Sequence, residues 1–322
     1  MLSAILLTVM SFADSSPAAA NPAFGYMLET DVIYGQGVIA PDGVAEIRDL
    51  RLDVYRPNDP VDASNRPAVI LIHGGAYYRG GRRQSPFRGD GAVHSRQEDY
   101  ARMFAPLGYV AFVIEYRLAP EQPVPEIQLD HPNLQDVALM APDSGIERTH
   151  YVREAMGLLV LSDEEARQIS IAALLAAAED AKKAVDFVQA NADRFGVDPE
   201  RIAMGGHSAG GGAAINAAFG LGTDVKAIFP LSPAVAGFDL TKLLGRPGLP
   251  ATLVMQSQND LPISSDTIPP MIAAMRQAGH PYEFAWVPGF GHFYPTGAVS
   301  LGDDASRMSV GERVIRFLDE NL

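Results

Sequence analysis

The sequence predicts an α/β fold: about eight strands in a mostly parallel sheet, helices on both faces, and one inserted helical cap. Three observations carry this. Continuous apolar runs such as Pro67-Ala68-Val69-Ile70-Leu71-Ile72 and Tyr109 to Ile114 are the mark of strands buried on both faces. Helical patterns alternate with those runs through most of the chain, as in βαβ units. The alternation breaks once, between Gln128 and Ile171, where a crossover of ordinary length has no room for so many residues.

In order, Asp31 to Ile39 and Arg48 to Tyr55 flank the turn Pro41-Asp42-Gly43 and read as an antiparallel pair at a sheet edge. Pro67 to Ile72 is the first buried strand, ending in His73-Gly74-Gly75-Ala76. A basic, glycine-rich loop runs from Tyr77 to Gly91, then come a helix over Gln97 to Ala105 and the strand Tyr109 to Ile114. The prolines of Leu118 to Pro125 make a stiff exit from that strand. Residues 128–171 hold short apolar clusters and a capping box, Ser162 with Glu165 three residues on; they read as a helical cap, the alternative being a second layer of core packing. A helix follows over Ala172 to Ala192. Arg201 to Met204 is a strand and Ala213 to Phe219 a helix; Val225 to Leu231 and Ala251 to Gln256 are strands. Pro269 to Ala278 reads as a helix, Tyr282 to Val287 as a strand and Val310 to Leu318 as the closing helix. The chain is one α/β domain over 21–322, without repeats or linkers.

The composition excludes some functions. A net charge of -14, with no long basic run, argues against nucleic acid and anionic lipid surfaces as partners. There are no cysteines, so thiol nucleophiles, disulfides and thiolate metal sites are excluded. Leu2 to Met10 is apolar but too short to span a bilayer, and small residues follow. Residues 1–20 read as a secretory signal peptide or a disordered tail, the first basic residue being Arg48. Export to the periplasm or medium is the expectation, a cytoplasmic location the alternative.

The chemistry centres on Gly205-Gly206-His207-Ser208-Ala209-Gly210-Gly211-Gly212, between the strand Arg201 to Met204 and the helix Ala213 to Phe219. Gly206-x-Ser208-x-Gly210 in a strand–turn–helix setting is the pattern of a nucleophile elbow. Small neighbours let the backbone turn sharply under the serine, and the helix start brings free N–H groups beside its oxygen. A serine hydroxyl needs a base. Of the seven histidines only His280 and His292 lie late in the chain. His292 follows the strand Tyr282 to Val287, at its carboxyl end, where active groups of such sheets gather; His280 precedes it and reads as a surface turn residue. The carboxylate to orient His292 is Asp260, directly after the strand Ala251 to Gln256, with Asp239 as competitor. Donors for a developing oxyanion are the N–H of Ala209 and the turn at Gly74 and Gly75. His73 reads as a buried residue shaping that turn, and His207 as a structural neighbour rather than a base.

His73-Gly74-Gly75-Ala76, Tyr116-Arg117-Leu118-Ala119-Pro120-Glu121 and Gly206-His207-Ser208-Ala209-Gly210-Gly211, in that order, resemble the α/β-hydrolase carboxylesterases of the hormone-sensitive-lipase type. The same Gly-His-Ser-Ala-Gly run is found in related feruloyl esterases and aryl formamidases. The resemblance spans roughly residues 50–125 and 172–320. It implies an α/β-hydrolase fold and hydrolysis of small-molecule carboxylic esters of short to medium acyl chain through an acyl-enzyme, with no cofactor and no metal. Ser208, Asp260 and His292 match the triad, and Gly74, Gly75 and Ala209 the oxyanion hole. Ala76 stands where many members have a third glycine, and His207 where an acidic residue is common. An amidase or aryl formamidase would use the same residues, and a non-catalytic binding protein on this fold is the alternative from another class. Arg79, Arg82, Arg83 and Arg88 form a basic loop that could attract an acidic substrate, or simply be solvated.

Overall fold

The computed structural model describes residues 25–58 and 64–322, so the signal-peptide expectation for residues 1–20 lies outside the described residues. Its main sheet has ten strands: β1 (Gly25–Ile39), β2 (Glu46–Asn58), β3 (Arg66–Ile72), β4 (Val110–Ile114), β5 (Val197–His207), β6 (Ala227–Leu231), β7 (Ala251–Asn259), β8 (Tyr282–Gly291), β9 (Val299–Gly302) and β10 (Arg307–Ser309). The spatial order is β1-β2-β4-β3-β5-β6-β7-β8-β9-β10. From β4 through β8 every pairing is parallel; β1, β2, β9 and β10 are joined antiparallel at the two ends. All eight expected strands are present. The two extra ones are a short edge hairpin, Val299–Gly302 against Arg307–Ser309.

The helices are α1 (Gln97–Phe104), α2 (Val137–Met140), α3 (Asp143–Ala155), α4 (Asp163–Ala190), α5 (Ala192–Phe195), α6 (Ala209–Ile215), α7 (Leu240–Leu243), α8 (Pro262–Ala278) and α9 (Val310–Asn321). Apolar residues of α1 and α9 fill one face of the sheet, and those of α4, α6 and α8 the other. Ala68 to Ile72 and Val110 to Ile114 are fully buried, the reason their sequences carry no polar alternation.

Helix boundaries differ from expectation most at two places. Ser162 does cap a helix: its Oγ accepts from Glu165 N at 3.3 Å, and Glu165 Oε2 accepts from Ser162 N at 2.9 Å. That helix then runs unbroken for 28 residues, so the last part of the 128–171 segment and the helix expected at Ala172 are one element. Helix α8 starts at Pro262, in the first turn where a missing N–H costs nothing, and passes through Pro269 and Pro270 rather than beginning there.

Two buried charge clusters tie the elements together. Arg117, just after β4, donates from Nη2 to Asp180 Oδ1 and to Glu179 Oε2 of α4, both at 2.8 Å, and from Nη1 to the carbonyls of Val38 and Val124. Arg82 and Arg83 fold back on Asp31, Asp53 and Glu115; Arg83 Nε donates to the buried Asp53 Oδ2 at 2.7 Å and Arg82 Nε to Glu115 Oε2 at 3.0 Å. Two of the four arginines expected to draw in an acidic substrate are therefore occupied by carboxylates of this chain, which corrects that expectation for Arg82 and Arg83.

Candidate active site

Ser208, Asp260 and His292 sit just beyond the carboxyl ends of β5, β7 and β8, with Gly74 and Gly75 beyond β3. In a parallel sheet these ends open on one edge, so loops far apart in sequence meet there. Ser208 has φ 58° and ψ -119°, a left-handed conformation rare for a residue with a side chain. Its own backbone holds it there: Ser208 N donates to Leu231 O at 2.9 Å, and its carbonyl accepts from Gly212 N at 3.0 Å. The glycines are steric necessities. A Cβ on Gly206 would stand 2.6 Å from Gly210 O and 2.7 Å from Ile72 O, and one on Gly210 would overlap the Ile72 carbonyl. The serine is thereby lifted above the turn.

His292 Nε2 lies 2.7 Å from Ser208 Oγ, and His292 Nδ1 lies 2.5 Å from Asp260 Oδ1. Asp260 is itself fixed: Oδ1 accepts from Leu261 N at 2.8 Å and Oδ2 from Ser257 N at 3.2 Å. Burial alone would push its carboxyl up; the hydrogen bond and charge of His292, with the Ser232 hydroxyl and the Leu261 amide, outweigh that and hold it below the usual carboxylate range. The tautomer follows: Nδ1–H to Asp260 leaves Nε2 free to accept the serine proton. Asp239, the competing carboxylate, instead caps α7, accepting from Thr241 N at 3.0 Å.

Of the oxyanion candidates, Gly75 and Ala209 line one cavity with Ser208 and His292, while Gly74 and Gly75 both border an adjoining pocket that His73 and His207 also line. A Cβ on Gly74 would stand 2.7 Å from His207 O and 3.2 Å from Ser208 Cβ, so only glycine lets this turn approach the elbow. Among the described residues, the N–H groups of Gly74, Gly75 and Ala209 donate to no other protein group. Gly75, Ala76 and Tyr77 have φ of 125°, 56° and 60°. Ala76, where glycine is the commoner residue of such turns, thus keeps the glycine-like backbone and adds only a methyl at the cavity wall.

His73 stacks on Tyr116 with 4.3 Å between ring centroids and pairs through Nδ1 with Gly74 O; burial lowers it to about 4, so it is neutral at ordinary pH. His207 packs on Phe293 and pairs through Nε2 with the main-chain oxygen of His292. Burial first, then the neighbouring His292, lower it to about 3. His280 is the misplaced one. It is buried beside Phe219 with Nε2 3.3 Å from Thr252 Oγ1, a core residue rather than a surface turn.

The cavity over Ser208 holds about 110 Å³. Residues of the 128–171 segment line it, Met140 of α2 and Ile146 of α3 among them, and Ala234, Ala236, Leu261 and Ile263 add to the apolar lining. Arg79 and Arg148 also border it. Met140 was legible only as part of an apolar cluster of the expected cap, and nothing in the local sequence marked Arg148, because only tertiary folding brings α2 and α3 to Ser208.

The architecture is the α/β-hydrolase fold, with a serine at the strand-to-helix elbow. Residues 160–228, from just before α4 through the elbow to the start of β6, match the BD-FAE family model. No curated relative matches the chain by sequence. Among solved structures it is similar to esterase 2 of Thermogutta terrifontis. The form of that protein phosphorylated by paraoxon is 20% identical, covers 91% of this chain and 92% of that one, and has a TM-score of 0.56. The propionate-bound form gives 18%, the same two coverages and 0.55, and the butyrate-bound form 19%, the same coverages and 0.54.

Proposed function

We propose that the protein is a serine carboxylesterase acting on esters of short to medium acyl chain, with residues 128–171 as a cap over the acyl pocket. The observation that carries this is the hydrogen-bonded line Ser208–His292–Asp260 at the mouth of an apolar cavity. Ser208 Oγ attacks the ester carbonyl as His292 Nε2 takes its proton, and Asp260 stabilises the imidazolium that forms. The oxyanion is received by the N–H groups of Ala209 and of the Gly74–Gly75 turn; one such donor is worth about 3–4 kcal/mol of barrier. His292 returns the proton to the departing alkoxide, leaving an acyl-enzyme. Water, deprotonated by His292, then releases the acid and restores the hydroxyl.

The cavity volume of about 110 Å³ favours short acyl groups. The propionate and butyrate held by Thermogutta esterase 2 support the same range. A series of 4-nitrophenyl esters from acetate to laurate tests this: kcat/KM peaks at the short end and falls steeply at long chains. A Ser208→Ala protein that keeps wild-type turnover of 4-nitrophenyl acetate would contradict the proposal, as would preference for anilides over matched aryl esters.

A further inference from the structure

We infer that Arg79 and Arg148 form an anion-binding clamp at this cavity, so that the preferred esters carry a carboxylate besides the ester group. The inference rests on the esterase function proposed above and names its substrate class. Both arginines border the cavity that contains Ser208 Oγ and His292, and no Asp or Glu borders it. Among the described residues neither guanidinium is ion-paired or hydrogen-bonded; Arg148 only lies over the Tyr151 ring at 4.9 Å. Arg82 and Arg83 of the same loop are, by contrast, both paired with carboxylates.

The two cations are brought together from separate elements. Tyr78 N and Arg79 N both donate to Gly75 O, at 3.1 and 3.2 Å, which fixes Arg79 against the oxyanion turn. Arg148 projects from α3 between Ile146 and Thr149, both buried, and Thr149 Oγ1 lies 3.2 Å from Ser170 Oγ on α4. Burial lowers the Arg148 pKa, and the charge of Arg79 lowers it further, so the two are close enough to repel. A guanidinium that is half-buried, unpaired and facing a like charge is relieved by an anion, and Arg forks suit carboxylate geometry. The remaining wall is mostly apolar, so the clamp selects for charge while the pocket holds the hydrocarbon part.

The carboxylate is borne by one half of the ester, and matched pairs show which. Mono-4-nitrophenyl glutarate against 4-nitrophenyl pentanoate places it on the acyl side. 4-Acetoxybenzoate against 4-acetoxybenzamide places it on the alcohol side. In wild type, one of the two anionic esters exceeds its neutral partner in kcat/KM by about tenfold, and the ratio falls as NaCl rises from about 20 mM to about 500 mM. In Arg79→Gln/Arg148→Gln that ratio drops on the order of tenfold to a hundredfold, and the Lys/Lys double variant retains part of it. A ratio on one protein sample is independent of the fraction folded. Neutral esters cleaved with both wild-type ratios at or below one, or ratios unchanged in the Gln variant, would overturn the clamp alone. A wild-type protein that cleaves neither neutral ester would overturn the esterase function itself.

Discussion

His207 Nε2 donates to the main-chain carbonyl of His292 at 2.8 Å, so the residue before Ser208 holds the loop that carries His292. The carbonyl can only accept, which puts the proton of His207 on Nε2 and leaves its buried Nδ1 without a partner among the described residues. The elbow therefore fixes both side chains: Ser208 through its backbone, and His292 through the ring one residue earlier.

Replacing His207 should loosen that arrangement. His207→Ala leaves the His292 carbonyl buried without its donor, a cost of about 1–3 kcal/mol, and frees the loop. A displacement of about 1 Å at the base can cost on the order of a hundredfold in rate. Steady-state kinetics on a short 4-nitrophenyl ester should show kcat falling tenfold to a hundredfold, roughly, with KM little changed, and His207→Gln, which keeps an N–H donor, should recover part. Equal loss in both variants would point to packing rather than to the hydrogen bond.

Asp260 and Asp239 make a paired test of the carboxylate. Asp260→Asn keeps the shape but favours the wrong imidazole tautomer, for a loss of about 10⁴ in kcat. Asp239 caps a four-residue helix on the surface, so Asp239→Asn should keep kcat within about twofold while costing at most about 1 kcal/mol of stability. Comparable loss in both would remove Asp260 from its place beside His292.

The elbow glycines should tolerate nothing larger. A methyl at Gly210 meets main-chain atoms of Ile72 and His73, which cannot rotate away, so Gly210→Ala should cost at least the 1–3 kcal/mol typical of overpacking. Gly279, which ends α8 at φ 66°, has nothing within 4 Å of an added Cβ, so alanine there bears only the conformational penalty, about 1 kcal/mol. Urea midpoints should separate the two variants clearly.

Stability should fall as the solution is acidified through the histidine range. His73 and His207 sit at about 4 and about 3 in the folded protein against 6.5 unfolded. Below pH 6.5 the unfolded chain therefore binds protons that the native state refuses, and each site removes about 1.4 kcal/mol per pH unit until its folded value is reached. By pH 5 the two together lower the unfolding free energy by about 4 kcal/mol relative to pH 8. His94 and His280, also lowered chiefly by burial, act in the same direction. Asp260, held low, contributes stability above the unfolded carboxylate value of 3.8 that is lost only below it. Urea unfolding followed through Trp286 fluorescence at pH 8 and pH 5 measures this; equal stability at both would mean the two rings are not buried in their neutral form.

Much of this architecture is legible in the residues themselves. Val69 to Ile72 and Val110 to Ile114 could only be central strands, and Ser208, Asp260 and His292 each follow a strand at the edge where parallel sheets gather chemistry. Val299–Gly302 and Arg307–Ser309 were not legible, because three or four residues with Ser300 and Arg307 among them carry no period. His280 follows the helix-ending Gly279, which suggests a surface turn, yet its chain turns inward onto Phe219. The charge of Arg82 and Arg83 looked available because their partners, Asp31, Asp53 and Glu115, are distant in sequence. Arg148 lies in the one stretch whose place is set by tertiary packing alone.

The most direct measurement of the central claim is covalent labelling of the purified protein with paraoxon, followed by intact-mass and peptide mass spectrometry. The account predicts a single diethylphosphoryl group per chain, on Ser208, appearing in step with loss of esterase activity and absent from Ser208→Ala. A fully active protein without the adduct, or an inactivated one labelled at another residue, would contradict it.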